Sequence, residues 1–269
     1  MSTSTSGPPV VLQFSEGVAS ISLSRPCHGN ALDLNLASAL SSAVAEAARA
    51  RETGAVLIRG EGLAFCVGGD LQAIAAAPDP AAYVRTLADA VHETILALRE
   101  LSVPVISAVH GACAGGGIGL ALGADLVIAE RSARFRAAYT AAGLSPDCGL
   151  GWILPRTIGP ARASDLILTN RVVDGTEAER LGLVSRAVPD GTAHDEAEVV
   201  ARSLAGGPQE AFSRSVRMIR DAVSTSLPDH LKRESESIAA QAAGPEGAEG
   251  IAAFLEKRLP AFSRAPRRA

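Results

Sequence analysis

Two glycine-bearing turns are the parts of this sequence best suited to chemistry. The first is FCVGGD at 65–70, and the second is HGACAGGGIG at 110–119. The second turn lies between a predicted buried strand and a predicted helix, where three consecutive glycines leave backbone NH groups uncovered by any Cβ. The dipole of that helix favours negative charge at its first turn. Such a turn can bind a phosphate or a developing oxyanion, and tight packing alone would also explain it.

Neither turn matches the common nucleotide-binding or serine-hydrolase motifs. The sequence contains no G-x-G-x-x-G, no G-x-x-x-x-G-K-[ST] and no G-x-S-x-G. These absences weigh against a dinucleotide fold, a P-loop and an α/β-hydrolase. The four cysteines, at 27, 66, 113 and 148, form no C-x-x-C pair. We therefore predict no metal site, and reduced thiols as in cytoplasmic proteins.

The composition excludes several classes of protein. Apolar residues make up 47% of the 269 residues, charged residues 20%, and the formal net charge is −4. A nucleic-acid binder usually has a basic face, and we interpret the arginines at 264, 267 and 268 as a solvated end. No apolar run reaches about 18 residues, and the Ser/Thr-rich residues 1–9 lack the pattern of a signal peptide. We expect a cytoplasmic protein with no membrane span and no nucleic-acid partner.

Hydrophobic periodicity predicts an α/β core followed by a helical C-terminal region. The predicted strands are Val10–Gln13, Val18–Leu23, Ala55–Arg59, Val103–Val109, Leu126–Ala129 and Val184–Val188, with a hairpin turn at Glu16 and Gly17. The predicted helices are Leu34–Arg49, Ala81–Glu100, one from about Gly117, Ala161–Leu168 and Thr176–Leu181, the last with Thr176 and Glu179 at capping-box spacing. We expect a disordered tail at 1–9, a core at 10–195 and a helical subdomain at 196–269.

Four blocks of this sequence resemble, in order, the motifs of one enzyme superfamily. They are RPCHGNAL at 25–32, AFCVGGDL at 64–71, PVISAVHG at 104–111 running into GGG at 115–117 and GAD at 123–125, and GLSPD at 143–147 with LPR at 154–156. One block alone would be weak, whereas four blocks with this spacing are specific. On these blocks the chain resembles the crotonase superfamily, which contains the enoyl-CoA hydratases and isomerases.

This resemblance implies a fold, an assembly and a substrate class. The fold would be the α/β crotonase (ClpP-like) fold of repeated ββα units, with a C-terminal helical subdomain for oligomerisation as homotrimers or dimers of trimers. The substrate would be an acyl-CoA thioester, with no cofactor beyond the coenzyme A that it carries. By position, the NH groups of Gly69 and Gly116 would form the oxyanion hole for the thioester carbonyl. Losing one such donor typically costs about 3–4 kcal/mol of transition-state stabilisation.

The resemblance also assigns residues to substrate binding. Those expected along the coenzyme A groove, largely through their backbone, are Cys27, His28, Gly29, Val67, Gly68, Asp70 and Leu71. Tyr139 is expected at the acyl pocket. Phe254 and Lys257 match a C-terminal pattern that reaches coenzyme A.

Both glutamates of the family's hydratases are missing. One would lie two residues after the third glycine of the triplet, where this chain has Gly119. The other would lie four residues after Phe135, where this chain has Tyr139. A tyrosine, with a reference pKa of about 10, replaces a carboxylate poorly as a base. The two-glutamate hydration of a 2-enoyl-CoA is therefore not favoured.

Asp147 is the leading candidate for the catalytic carboxylate. The dipeptide Pro146-Asp147 alone is typical of a turn. By resemblance, however, Asp147 occupies the position of the single carboxylate in crotonases similar to phenylacetyl-CoA epoxide isomerases and 3,2-enoyl-CoA isomerases. One carboxylate can remove a proton alpha to the thioester and return it to the gamma carbon. We predict a double-bond or ring isomerase of acyl-CoA, working through an oxyanion-stabilised enolate.

Three further functions are compatible with the same motifs. His92, on the predicted helix before Pro104, matches the general-base histidine of crotonases similar to the 4-chlorobenzoyl-CoA dehalogenases, in which an aspartate at the Asp147 position attacks the ring. The tryptophan that this group has at the Tyr139 position is absent. The second function is that of an enoyl-CoA hydratase, and the third is that of a catalytically silent CoA-binding paralogue. In the absence of a catalytic role, His92 is interpreted as a histidine at the surface or core edge.

Overall fold

A computed structural model describes residues 7–262 of the chain. Most of the predicted tail, residues 1–6, and the three arginines after residue 263 lie outside the described residues. The strands are β1 (Val10–Ser15), β2 (Val18–Leu23), β3 (Ala55–Gly60), β4 (Ala64–Cys66), β5 (Val105–Val109), β6 (Ala112–Ala114), β7 (Leu126–Glu130), β8 (Arg134–Arg136), β9 (Val173–Asp174) and β10 (Arg186–Val188). The helices are α1 (Leu34–Arg49), α2 (Leu71–Ala76), α3 (Pro80–Glu100), α4 (Gly116–Leu122), α5 (Leu150–Ile158), α6 (Pro160–Thr169), α7 (Gly175–Leu181), α8 (Ala193–Ala205), α9 (Gln209–Asp221), α10 (Leu227–Ala242) and α11 (Pro245–Leu255).

The larger sheet has six strands in the order β1-β2-β3-β5-β7-β10. The pair β1–β2 is antiparallel, and the other pairs are parallel. The predicted hairpin is confirmed, because Glu16 and Gly17 both adopt positive φ angles, 49° and 82°, as a tight type I′ turn requires. The predicted strand at Val103 begins instead at Val105, after Pro104, which has no NH to donate to the ladder.

A second sheet of four short strands, β4-β6-β8-β9, was not predicted. Its strands have only two or three residues, which is too short for periodicity to show. Strand β4 ends immediately before Val67, and β6 ends immediately before Gly115. Because β4 and β6 are hydrogen-bonded neighbours, the sheet brings the two glycine turns side by side.

Helix α7 begins differently from the prediction. Its N-cap is Asp174, whose side chain accepts from the Glu177 amide at 2.7 Å, so the predicted capping box of Thr176 and Glu179 is wrong. The Glu179 carboxylate instead accepts from the amide of Ala187 at 3.0 Å. The predicted strand from Val184 is shortened to β10, because the amide of Val184 bonds back to the carbonyl of Ala178 in the middle of α7.

The C-terminal region is helical, as predicted, and its first helix differs from the rest. Helix α8 buries four alanines at four-residue spacing against the larger sheet: Ala193, Ala197, Ala201 and Ala205. In the described part of the chain, α9 and α10 bury no residue, and α11 buries only Ala253. Arg220 links α9 to the core, because its Nη2 atom donates to both carboxylate oxygens of Asp125, at 2.7 and 2.9 Å. The predicted division at 195/196 falls near the start of α8 and stays a prediction.

Candidate active site

One cavity of about 350 Å³ lies beside the two glycine turns. It is lined by both turns, by one face of α3 and by the loop before α5. The lining residues are Leu32, Val67, Gly68, Gly69, Leu71, Ile74, Val84, Leu87, Ala88, Val91, Gly115, Gly116, Ala138, Tyr139, Ala142, Leu144, Ser145, Pro146, Asp147 and Cys148. The wall is mostly apolar, with a few polar groups concentrated near the glycine turns. That composition is typical of a small-molecule site.

Two backbone amides of the glycine turns are available to the cavity. Gly69 forms a parallel bridge with Leu32, whose amide bonds to Gly68 O at 2.8 Å and whose carbonyl accepts from Asp70 at 2.9 Å. Leu32 makes both hydrogen bonds of this bridge, so the NH of Gly69 points away from Leu32. Gly116 is the first residue of α4, where amides have no acceptor within the helix. Within residues 7–262, neither amide donates a hydrogen bond to another backbone group.

The two turns approach so closely that a side chain would not fit between them. Gly68 has a φ of 92°, and a Cβ added to it would lie 2.9 Å from the carbonyl oxygen of Ala114 and 3.4 Å from the amide nitrogen of Gly116. A glycine is required here for both reasons. The two glycine turns therefore lie against each other at the cavity, and two backbone donors placed in this way could stabilise a developing oxyanion.

Asp147 and His92 are in direct contact. The Nε2 atom of His92, on α3, lies 2.5 Å from Oδ1 of Asp147, on the loop before α5, although 55 residues separate them in the chain. Their side chains are 43% and 32% exposed, respectively. Asp147 lines the cavity, whereas His92 contacts Asp147 from behind and is not part of the lining. The structure therefore joins the two leading catalytic candidates into one pair.

Cys148 connects Asp147 to Tyr139. Its thiol donates to Oδ2 of Asp147 at 3.7 Å, and its sulfur and the Tyr139 hydroxyl both lie within 3.7 Å of the position of a Cβ added to Gly116. Burial, and next the charge of Asp147, raise the pKa of the Cys148 thiol to about 12, so it stays protonated. Cys148 has a φ of 53°, and Ala138 beside Tyr139 has a φ of 64°. Strained residues of this kind are concentrated at functional sites.

Tyr139 remains a neutral phenol. Burial, and next the neighbouring Cys148, raise the pKa of Tyr139 well above its usual value of 10. The group can therefore give or accept a hydrogen bond and cannot serve as a phenolate base. Its carbonyl accepts from the amide of Leu144 at 3.0 Å, which fixes the turn that carries the ring.

The space of the missing hydratase glutamate is filled by main chain. A Cβ added to Gly119 would lie 2.1 Å from the carbonyl oxygen of Cys148 and 2.7 Å from its Cβ. The helix α4 and the loop carrying Asp147 thus pack against each other with no room for a side chain at position 119.

Several residues predicted for coenzyme A lie outside this cavity. Cys27 and His28 form a short 3-10 turn, and the carbonyl of Gly29 accepts from Val67 at 3.0 Å, next to the cavity wall. The Asp70 carboxylate caps α2 and pairs with Arg25 at 3.2 Å. Phe254 is 83% exposed on α11, apart from the cavity in the described chain, and Lys257 follows it. Their roles in binding coenzyme A stay predictions.

Some cavity residues were not predicted. Leu32, Leu144 and Ser145 line the cavity from irregular segments, for which the sequence carries no periodic signal. The lining residues of α3 were expected, because the resemblance places the helix at 83–91 along the acyl pocket; they are Val84, Leu87, Ala88 and Val91.

One group of potential metal ligands occurs among the described residues. It consists of His92, Asp147 and Cys148, whose ligand atoms lie within 4.8 Å of one another. A protonated thiol and a histidine already bonded at 2.5 Å fit proton transfer better than metal binding. The prediction of no metal stays a prediction.

The comparison with known proteins agrees with this geometry. The sequence model described as "Enoyl-CoA hydratase/isomerase" matches residues 13–265. The chain belongs to the enoyl-CoA hydratase/isomerase family. It is thus a crotonase, as its motifs indicated, and the α/β architecture with a helical C-terminal region is that of the crotonase fold.

Relatives with both kinds of name are similar to this crotonase. A Rhodobacter capsulatus protein named as an enoyl-CoA hydratase is 39% identical over 253 residues, covering 93% of this chain and 96% of the relative. The 1,2-epoxyphenylacetyl-CoA isomerase of Escherichia coli K12 is 34% identical over 261 residues, covering 94% and 98%. A crystal structure of an enoyl-CoA hydratase from Polaromonas sp. JS666 has a TM-score of 0.90 and 34% identity, covering 94% and 99%. The described residues include no helix long and apolar enough to cross a bilayer.

Proposed function

We propose that this crotonase is an acyl-CoA isomerase in which Asp147 moves a proton within the bound acyl group. The observation that carries the proposal is the Asp147 carboxylate on the cavity wall, held by His92 at 2.5 Å and close to the two glycine turns. The filled space at Gly119 and the neutral Tyr139 leave the hydratase glutamates without a substitute. The similarity to the named epoxyphenylacetyl-CoA isomerase supports the same choice.

The reaction follows from the groups on the cavity wall. The thioester carbonyl accepts from the amides of Gly69 and Gly116. The Asp147 carboxylate takes the proton alpha to the carbonyl, and the electron pair becomes an enolate conjugated with the double bond. The Asp147 carboxylic acid then returns the same proton to the gamma carbon, which leaves a 2-enoyl thioester and the original carboxylate. Each amide donor supplies about 3–4 kcal/mol of the stabilisation of the enolate-like state.

His92 positions Asp147 in this scheme. A carboxylate held by a hydrogen bond on one oxygen keeps the other oxygen directed at the substrate. An isomerase in which His92 had no role would be expected to tolerate His92→Gln. The 2.5 Å contact changes that expectation to a moderate loss, on the order of 10-fold in kcat.

The test is a spectrophotometric comparison of a 3-enoyl-CoA and a 2-enoyl-CoA. We expect the wild type to conjugate the 3-enoyl double bond without consuming the 2-enoyl one. Asp147→Asn should bind the 2-enoyl-CoA and lose turnover by at least about 1,000-fold, since it cannot carry the proton. Retained turnover in Asp147→Asn would refute the proton shuttle. Loss of 2-enoyl absorbance by water addition would make the protein a hydratase.

A hydrolase that uses Asp147 and His92 is the second candidate. The contact between these residues is the observation that favours it, because a histidine next to a nucleophilic aspartate can activate water against an aspartyl ester. This candidate predicts chloride release from 4-chlorobenzoyl-CoA and loss of it, by about 1,000-fold or more, in His92→Gln. A silent CoA-binding paralogue would show turnover in neither assay.

We also propose that the protein assembles as a homotrimer or a dimer of trimers in the cytoplasm. Helices α9 and α10 are amphipathic yet bury no residue in the described single chain. These helices and the turn between them expose large apolar side chains that a partner would cover: Ile219 on α9, Val223 in the turn, and Leu227, Leu231 and Ile238 on α10. Light scattering of the purified protein tests this, and a monomeric mass would refute it.

A further inference from the structure

The Tyr139 hydroxyl lies near the Gly116 amide at the cavity, and the proton shuttle proposed above assigns it no role. The hydroxyl oxygen lies 3.7 Å from the position of a Cβ added to Gly116, and the Cζ atom of the ring lies 3.9 Å from the corresponding position on Gly115. Since the nitrogen and Cβ position of one residue are about 2.5 Å apart, the hydroxyl is within roughly 6 Å of the Gly116 amide nitrogen. One oxygen atom can accept from both groups at about 2.9 Å each.

The hydroxyl proton is free to serve such an atom. The polar group beside it is the sulfur of Cys148, which is a weak acceptor. The thiol's own proton is given to Asp147, so the sulfur does not compete as a donor to the substrate. A thioester oxygen that gains negative charge accepts more strongly than sulfur, because charge-assisted hydrogen bonds are about twice as strong as neutral ones.

The ring is also held in place before substrate arrives. Ala138 enters the turn in a left-handed conformation, and the carbonyl of Tyr139 accepts from the amides of Ala142 and Leu144 at 2.9 and 3.0 Å. The next residue, Thr140, donates to the carbonyl of Ile167 at 2.8 Å. A donor fixed in this way stabilises charge without reorganising.

We propose that the Tyr139 hydroxyl is a third hydrogen-bond donor to the thioester oxygen, beside the amides of Gly69 and Gly116. This inference rests on the proposed thioester site and concerns a catalytic side chain within it. No proton leaves the hydroxyl: it turns away from the Cys148 sulfur and donates its hydrogen bond to the oxygen as the enolate forms. The phenol thus does not act as the acid or base that a carboxylate at this position would be.

The experiment compares Tyr139→Phe with Tyr83→Phe, which is the same chemical change at the chain's other tyrosine, on α3 and outside the cavity lining. We expect Tyr139→Phe to lower kcat for the 3-enoyl-CoA by about 10- to 100-fold with KM changed less than about 3-fold. Tyr83→Phe should behave as the wild type. The substitution removes one oxygen atom and no hydrocarbon, so the fold is expected to persist.

A spectroscopic measurement separates this role from a structural one. The probe is phenylacetyl-CoA labelled with ¹³C at the thioester carbonyl, whose stretching frequency in infrared difference spectra falls as donors bind the oxygen. We expect a smaller fall in Tyr139→Phe than in the wild type, and an unchanged fall in Asp147→Asn. A full fall in Tyr139→Phe, whatever its turnover, would overturn the inference. No fall in the wild type would overturn the thioester site itself, whereas a normal fall with no isomerisation would overturn only the proton shuttle.

Discussion

Replacing Gly119 by alanine tests the packing that separates this site from a two-glutamate hydratase. The added Cβ would lie 2.1 Å from the carbonyl oxygen of Cys148. Carbon and carbonyl oxygen tolerate each other from about 3.3 Å, so the two segments must separate by about 1.2 Å. The clash is with main chain on a loop already at positive φ, and no side-chain rotation relieves it.

The cost can be worked from this displacement. Overpacking of a tight interior site costs about 1–3 kcal/mol, and an immovable partner favours the upper end. Alanine in place of glycine in a helix returns about 1 kcal/mol. We therefore expect Gly119→Ala to lower the free energy of unfolding by about 2 kcal/mol and the Tm by about 4–8 °C. Because Asp147 precedes Cys148, a shift of about 1 Å should also lower kcat by about 100-fold.

The matched control is Gly151→Ala, also in a helix. A Cβ added to Gly151 meets no atom within 4 Å, so this variant should keep its activity and gain up to about 1 kcal/mol. Thermal unfolding followed by circular dichroism and the 3-enoyl-CoA assay measure both variants. A Gly119→Ala protein as stable and as active as the control would refute the reasoning. So would hydratase activity gained by Gly119→Glu, since the structure leaves no room for that carboxylate.

Two further predictions concern stability. Arg220→Ala should lower the free energy of unfolding by about 3 kcal/mol, because it leaves the charge of Asp125 unpaired on a side chain that is only 18% exposed. The control is Arg202→Ala, which removes one partner of a half-exposed ion pair and should change the free energy of unfolding by less than about 1 kcal/mol. Urea denaturation measures both variants. Burial lowers the pKa of His194 from 6.5 to about 4, so the unfolded chain binds a proton at this histidine more readily than the folded chain does. The neutral His194 therefore contributes about 1–2 kcal/mol of stability, after allowance for its partial exposure. This contribution is complete above pH 6.5 and is lost as the pH falls toward 4. His194→Gln should reduce the difference in unfolding free energy between pH 7 and pH 5, and an unchanged difference would assign it to other groups.

Long elements with a clear period were predictable from the sequence. The helix Leu34–Arg49 has the predicted bounds, since Asp33 caps its first turn and apolar residues recur at helical spacing. The strand Val18–Leu23 also has the predicted bounds. The four-stranded small sheet was not predictable, because two or three residues carry no period and their pairing comes from tertiary contacts. The start of α7 was missed because two capping residues competed locally, and Asp174 is the one in the extended conformation.

The sequence motifs predicted which residues belong to the site, but they did not predict how these residues pack. Resemblance placed Asp147 and His92 at matching positions, and the structure puts them 2.5 Å apart. It gave no sign that the main chain of Cys148 would fill the space beside Gly119, since backbone course depends on the left-handed conformation at Cys148. Nor could it show the link from Asp147 through Cys148 to Tyr139, which depends on side-chain directions in an irregular loop.

The strand order carries a consequence for how the chain folds as it leaves the ribosome. In both sheets the strands lie side by side in the order of synthesis, and from β3 to β8 successive strands alternate between the two sheets. Each newly made strand can therefore add to an exposed edge, and none has to insert between two strands that are already paired. We expect the core to grow as a spiral from the N-terminus, with one strand added to each sheet per turn. The last residue that lines the cavity is Cys148, so the whole lining has been synthesised before the helices after α8. The binding pocket can therefore form before those helices are made.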